Sequence, residues 1–167
     1  MRKSIVFLFL VFLLVPGPSR AGSLNVRDWL SRAGVRLLVV EFYSVYCKPC
    51  MKAVPDWKRL HEKYRSQGLR LLVVSTDPGL CAQPDWTPAD VICDSDQLMM
   101  ETWNVQDLPQ AFMWSWQGNL LVSRGHVDVV EQAVADYFER LHRILGDAPV
   151  DGKGKTLIDA ELLRHTV

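Results

Sequence analysis

Cys47 and Cys50 stand three residues apart in the run Glu41-Phe42-Tyr43-Ser44-Val45-Tyr46-Cys47-Lys48-Pro49-Cys50, directly after an apolar stretch and ahead of a helical pattern. This spacing constrains the chain more than any other feature, because it sets two sulfurs one helical turn apart at the head of a helix. Backbone N–H groups there carry partial positive charge, which stabilises a thiolate and draws the pKa of the first cysteine towards neutrality. Cys47 is the expected nucleophile. Cys50, one turn deeper, is placed to attack a mixed disulfide formed on Cys47 and so release a partner protein. A static bridge and half of a zinc site are the competing readings. Zinc normally takes a second ligand pair at matched spacing, and neither Cys81 with Cys93 nor His61, His126, His142 and His165 supplies one. No metal is expected.

The pattern around the motif sets the rest of the fold. Residues 35–43 form a nearly continuous apolar run, as in a central strand covered on both faces. The helix that follows carries Val54, Trp57, Leu60, His61 and Tyr64 at three- and four-residue spacing and is expected to stop at Gly68. Residues 69–75 read as a second buried strand, and a strand, helix and strand of this length make a right-handed parallel crossover. Residues 76–94 are irregular, with Pro78, Gly79, Pro84 and Pro88, and end in the short apolar piece Val91-Ile92-Cys93. Ser95 or Asp96 is expected to cap a short helix over 97–103. Two strands, 110–116 and 119–122, are joined at Gln117-Gly118 as a tight hairpin. Asp128, with Glu131 three residues on, opens a last helix whose apolar side is Val130, Val134, Tyr137, Leu141 and Leu145, closed by Gly146. The order β, α, β, α, β, β, α predicts an α/β sandwich with a parallel half and an antiparallel half. Of the six tryptophans, Trp57, Trp114 and Trp116 are expected in the core, and Trp86 as an exposed contact.

The N-terminus begins with Met1-Arg2-Lys3 and continues as an apolar run over 4–15, too short to span a bilayer comfortably. Pro16-Gly17-Pro18 and Ser19-Arg20-Ala21 follow, with small residues where a signal peptidase reads, so residues 1–21 are expected to be a signal peptide cleaved after Ala21. An uncleaved anchor would instead hold the protein at the membrane. Either way the folded part is expected in the periplasm or another extracytoplasmic space, where disulfides persist. Removing 1–21 takes away Arg2, Lys3 and Arg20 and no acid, which turns 19 basic and 19 acidic residues into 16 and 19. That mildly acidic balance, without a clustered basic face, excludes nucleic acid as an expected partner. The remainder suits one domain, 22–146, followed by a tether and short C-terminal segment, 147–167.

The run from Glu41 to Pro55 together with Leu108-Pro109 resembles the thioredoxin superfamily, and the exported setting makes it most similar to the TlpA-like thiol:disulfide oxidoreductases. The resemblance covers residues 35–145. It implies a thioredoxin-like three-layer α/β/α sandwich with a mixed sheet, with Pro55 kinking the active-site helix. It also implies a cis Leu108-Pro109 bond that presents backbone to a substrate strand, Leu108, Tyr46 and Pro49 bordering that groove. Gln110 departs from the threonine frequent beside this proline. Glu41 occupies the place of a buried acid beneath the dithiol, where a carboxyl of raised pKa accepts the proton of Cys50. Ala53 stands where relatives devoted to cytochrome c maturation carry glutamate, which weakens that assignment. Cys81 and Cys93, twelve residues apart, are candidates for a structural disulfide. The expected activity is thiol–disulfide exchange with partner proteins, as a reductant, by a monomer with no cofactor beyond the Cys47–Cys50 pair. Recharging would come from a membrane thiol-reductant transporter of the DsbD or CcdA kind. The alternatives are a non-catalytic binding module with a permanent bridge, or a cytochrome c maturation thioredoxin.

Overall fold

A computed structural model describes residues 24–77 and 89–145. The expected signal peptide (1–21), the tether and tail (147–167), Cys81, Trp86 and the closing Gly146 lie outside the described residues.

The first element is a helix the periodicity did not reveal. Asn25 Oδ1 accepts the Arg27 N–H at 3.1 Å and starts a single turn, α1 (Val26–Leu30). The apolar run then forms β1 (Leu37–Tyr43), all seven residues buried. It leads through a short loop into α2 (Lys48–Tyr64), which contains Pro55 and tightens into a 3-10 turn over Arg65–Gln67. Gly68 ends the helix at φ 104°, where a Cβ would lie 2.7 Å from the Gly34 carbonyl oxygen, and its own carbonyl accepts from the N–H groups of Arg36 and Leu37. Only glycine fits a left-handed residue pressed so closely against the segment at Gly34 and Arg36. β2 (Leu69–Ser75) follows at once, then β3 (Asp90–Cys93), α3 (Leu98–Thr102), β4 (Gln110–Ser115), β5 (Leu120–Gly125) and α4 (Val127–Leu145).

The five strands lie in the order β3-β2-β1-β4-β5. β1, β2 and β3 run parallel, whereas β4 is antiparallel to both β1 and β5, so the sheet has the expected parallel and antiparallel halves. Its two faces bury separate clusters. On one, Leu37, Val39, Tyr43, Leu71 and Val73 meet Trp57, Leu60 and Tyr64 of α2 and Val130, Val134 and Phe138 of α4, with Tyr64 and Phe138 stacked at 5.3 Å. On the other, Leu38, Val40, Phe42, Val74 and Phe112 meet Met99 of α3 and the partly buried Trp29 of α1 and Trp103. The result is the three-layer sandwich with a mixed sheet.

Several local expectations change. The piece at Val91-Ile92-Cys93 is a strand in its own right, added at the parallel edge. Of the two expected caps of α3, Asp96 makes a long bond, its Oδ1 accepting the Leu98 N–H at 3.4 Å, and the shorter bonds come from a residue further upstream. Asp94, at the end of β3, is fully buried and its two carboxylate oxygens accept the N–H groups of Met99 and Met100, both at 2.9 Å. Asp128 lies inside the first turn of α4, because the helix starts one residue earlier and Val130 N–H already bonds to the His126 carbonyl. The hairpin is wider than two residues, with Ser115 N–H bonded to the Asn119 carbonyl and Gly118 at φ 87°. Trp114 is only partly buried.

Candidate active site

β1 delivers the chain to the N-terminus of α2, and the four residues between them, 44–47, place the reactive sulfur. Cys47 is the N-cap residue of α2 in extended conformation, and its Sγ accepts the Cys50 N–H at 3.1 Å. A helix N-terminus left without a side-chain oxygen is thus capped by sulfur, the geometry that favours a thiolate. Cys47 and Cys50 are joined as a disulfide. Their exposure differs: Cys47 is half-buried, whereas Cys50 is 1% exposed. Pro49 sits in the first turn, where its missing N–H costs nothing. An incoming disulfide can therefore reach one sulfur of the pair and not the other.

The surroundings are apolar on the outside and acidic beneath. Tyr46 is 76% exposed and Met51 45%, both next to the dithiol in sequence. The Tyr43 hydroxyl donates to Met51 Sδ at 2.9 Å. The Leu108–Pro109 bond is cis and opens β4, whose first residue, Gln110, pairs with Phe42 of β1. Leu108 packs against both apolar clusters. Ala53 lies buried on the inner side of α2.

Glu41 pairs with Val73 of β2 and Ala111 of β4 in the middle of the sheet. Alternation along β1 puts its side chain on the face of Val39 and Tyr43, beneath α2, and it is 1% exposed. Burial pushes its carboxyl well above the usual carboxylate range, an effect opposed in part by the indole of Trp57. Among the described residues neither carboxyl oxygen, nor the Trp57 Nε1–H, has a partner of good hydrogen-bond geometry. A carboxyl whose pKa is raised in this way is, once ionised, a stronger base than an ordinary carboxylate, and with no donor of good geometry on its oxygens it is able to take up a proton from beneath the dithiol. Cys93 is disulfide-bonded, and its candidate partner, Cys81, lies outside the described residues. Among the described residues no three His, Cys, Asp or Glu side chains cluster as a metal site would require.

One polar group at the site went unread in the sequence. Asp77, two residues past β2, is buried, and its carboxylate accepts both the Ser44 hydroxyl and the Val45 N–H, the latter at 2.8 Å. Nothing local announces this, since the partners lie more than thirty positions upstream. The signal available was topological: parallel neighbours end side by side, so the residues just past β2 must flank those just past β1.

A mixed sheet of this order, with a dithiol at the head of a proline-containing helix and a cis-proline opening the neighbouring antiparallel strand, is a thioredoxin-like fold. No family model matches the chain. It is similar to the thiol-disulfide oxidoreductase ResA of Bacillus subtilis, 22% identical over 87 residues that make up 49% of either protein. It is also similar to ResA of Halalkalibacterium halodurans, 24% identical over 70% of this chain and 66% of that one. The chain thus spans about half the length of the first of these relatives. Among solved structures, a thiol:disulfide interchange protein DsbE from Chlorobium tepidum superposes with a TM-score of 0.54 at 19% identity, covering 62% of this chain and 80% of that one. A secreted Mycobacterium tuberculosis disulfide oxidoreductase superposes with 0.51 at 15% identity, covering 62% and 83%. The chain thus has a thioredoxin-like fold and is similar to thiol-disulfide oxidoreductases.

Proposed function

We propose that the protein is an exported thiol:disulfide oxidoreductase that reduces disulfides in partner proteins. The observation that carries the reading is the unequal exposure of the two sulfurs at the N-terminus of α2, one reachable and capping the helix, the other enclosed. In the reduced protein the Cys47 thiolate attacks one sulfur of a partner disulfide, forming a mixed disulfide and releasing the partner's other sulfur as a thiolate that takes a proton. Cys50 then loses its proton to the ionised Glu41 carboxylate, directly or through water, and attacks Cys47 Sγ, leaving Glu41 protonated. The partner's second sulfur leaves and the Cys47–Cys50 bond forms. Two electrons pass to the partner, and the protein ends as the disulfide.

Tyr46, Pro49, Leu108 and Pro109 border the substrate in this scheme. Export is supported by the leader-like residues 1–21 and by the name of the secreted mycobacterial relative. Among the described residues no helix is long and apolar enough to cross a membrane. The Cys81–Cys93 pair is proposed as a structural bridge, and the oxidised Cys47–Cys50 pair as the form recharged by a membrane thiol-reductant transporter.

Two measurements test this. In a glutathione titration read by alkylation of Cys47, the pair should reduce at potentials accessible to mild thiols. A bridge that stays closed under those conditions would make the protein a binding module instead. Cys50→Ser should accumulate mixed disulfides with a model substrate such as insulin, and Cys47→Ser should show neither trapping nor reduction. Reduction by Cys47→Ser at the wild-type rate excludes Cys47 as the nucleophile.

A further inference from the structure

The loop that carries Cys47 is held from outside its own sequence. Thr76, just past β2, donates through both its N–H and its hydroxyl to the Tyr43 carbonyl, at 3.0 and 3.2 Å. The next residue, Asp77, takes the Ser44 hydroxyl on one carboxylate oxygen and the Val45 N–H on the other. Ser44 Oγ in turn accepts the Tyr46 N–H at 3.1 Å, and the Ser44 carbonyl accepts the Cys47 N–H at 3.2 Å. Each residue from Tyr43 to Cys47 is therefore tied, directly or at one remove, to the end of β2. A buried carboxylate is a costly clamp unless its charge matters, because a neutral acceptor would satisfy the same donors.

We propose that Asp77 is a positioning residue of the dithiol: its carboxylate fixes the 44–46 loop with Cys47 at the helix N-terminus, and its charge holds Cys47 back from the thiolate. The proposal rests on the dithiol chemistry set out above. A negative charge close to a thiol disfavours its ionisation. It stabilises the disulfide relative to the reduced pair, because a low thiolate pKa is what makes a dithiol protein oxidising. Asp77 thus opposes the helix N-terminus and Lys48, and biases the centre towards reduction of its partners. Its field reaches this region, since the Tyr43 hydroxyl, bonded to Met51 Sδ beside Cys50, is raised by burial first and by the Asp77 charge second. The Ser44 O–H, pointing its proton at the carboxylate, offsets part of that charge.

Two substitutions separate charge from shape. Asp77→Asn keeps an acceptor for Val45 N–H and removes the charge. The pH profile of Cys47 alkylation in the reduced protein should move down by about half a unit to one unit, and the glutathione equilibrium should shift severalfold towards the reduced form. Ser44→Ala keeps the charge and removes the hydroxyl that screens it, so the profile should move up. Shifts in the same direction, or none, overturn the proposal, because simple loosening of the loop cannot drive the two variants apart. If Asp77→Asn does not fold, Ser44→Ala decides alone: an upward shift supports the clamp, and an unchanged or lowered profile refutes it. Glu41 beneath the pair and Tyr43 beside it are unchanged in both variants, so they serve as a constant background. If the wild-type protein exchanges no disulfides with substrate, the proposed activity fails, yet the alkylation profiles still decide whether Asp77 governs Cys47.

Discussion

Glu41 and Asp77 are both buried carboxyls near one dithiol, and their surroundings give them opposite work. Asp77 has a donor on each of its two oxygens, a clamp that gains nothing by releasing its partners. Glu41 has no donor of good geometry and its pKa is raised by burial, which makes its carboxylate a stronger base and suits it to exchange protons. Glu41→Gln should therefore leave attack by Cys47 intact and slow resolution by Cys50 about a hundredfold, the ordinary scale of a positioned general base. Stopped-flow measurement of mixed-disulfide decay reads that step, and an unchanged rate removes Glu41 from the mechanism. Cys47, Cys50, Pro109 and Glu41 were legible as candidates because each is tied to a fixed distance from a motif or a strand. Asp77 was not, because its meaning depends on two strand ends meeting in space and on donors that belong to another segment.

Elements were legible where their signal is periodic and long. The seven-residue runs of β1 and β2 and the spacing of Trp57, Leu60 and Tyr64 dictate a buried strand, a helix against it and a return strand. Short elements depend on tertiary contacts instead. α1 and α3 have five residues each, fewer than a helix needs to persist in water, so packing on the second face of the sheet must hold them. For α3 the remote contribution is identifiable. Gln97, at its N-cap position, has positive φ and makes no side-chain capping bond, whereas Asp94 supplies both oxygens from the end of β3. The sequence points to Asp96, which accepts the Leu98 N–H at 3.4 Å, but not to Asp94, because a capping carboxylate is usually sought next to the helix it serves. Asp94→Ala should cost about 2 kcal/mol, with two buried N–H groups left unpaired. Asp94→Asn, which keeps one acceptor, should cost less. Urea denaturation of the oxidised protein measures both, and equal losses would show that a single bond carries the cap.

At the scale of the whole molecule, Glu41 and His61 are both buried, and the two set opposite limits on stability. His61 lies on the inner side of α2, and burial lowers its pKa from 6.5, reinforced by the charges of Arg70 and Arg65 and opposed by Asp90 and Glu62. A base whose folded pKa is depressed gives stability that is complete above its unfolded value and is lost as pH falls, so His61 acts on the acid side, below about pH 6.5. Glu41 has the opposite sign. Its folded pKa lies above 4.5, so its contribution is complete below that pH and is lost as the pH rises through the folded value. The oxidised protein should accordingly pass through a stability maximum in weakly acidic to neutral solution. Thermal melting across pH 4–9 should show His61→Gln flattening the acid limb alone and Glu41→Gln flattening the alkaline limb alone. The two effects should add in the double variant, because His61 is shifted by burial and by charges at Arg70, Arg65, Asp90 and Glu62, and Glu41 by burial, opposed by the Trp57 indole. A double variant that loses more than the sum would show that the two groups share one proton-linked network. In that case the reserve that readies Glu41 for proton transfer would extend along α2 to the parallel edge of the sheet.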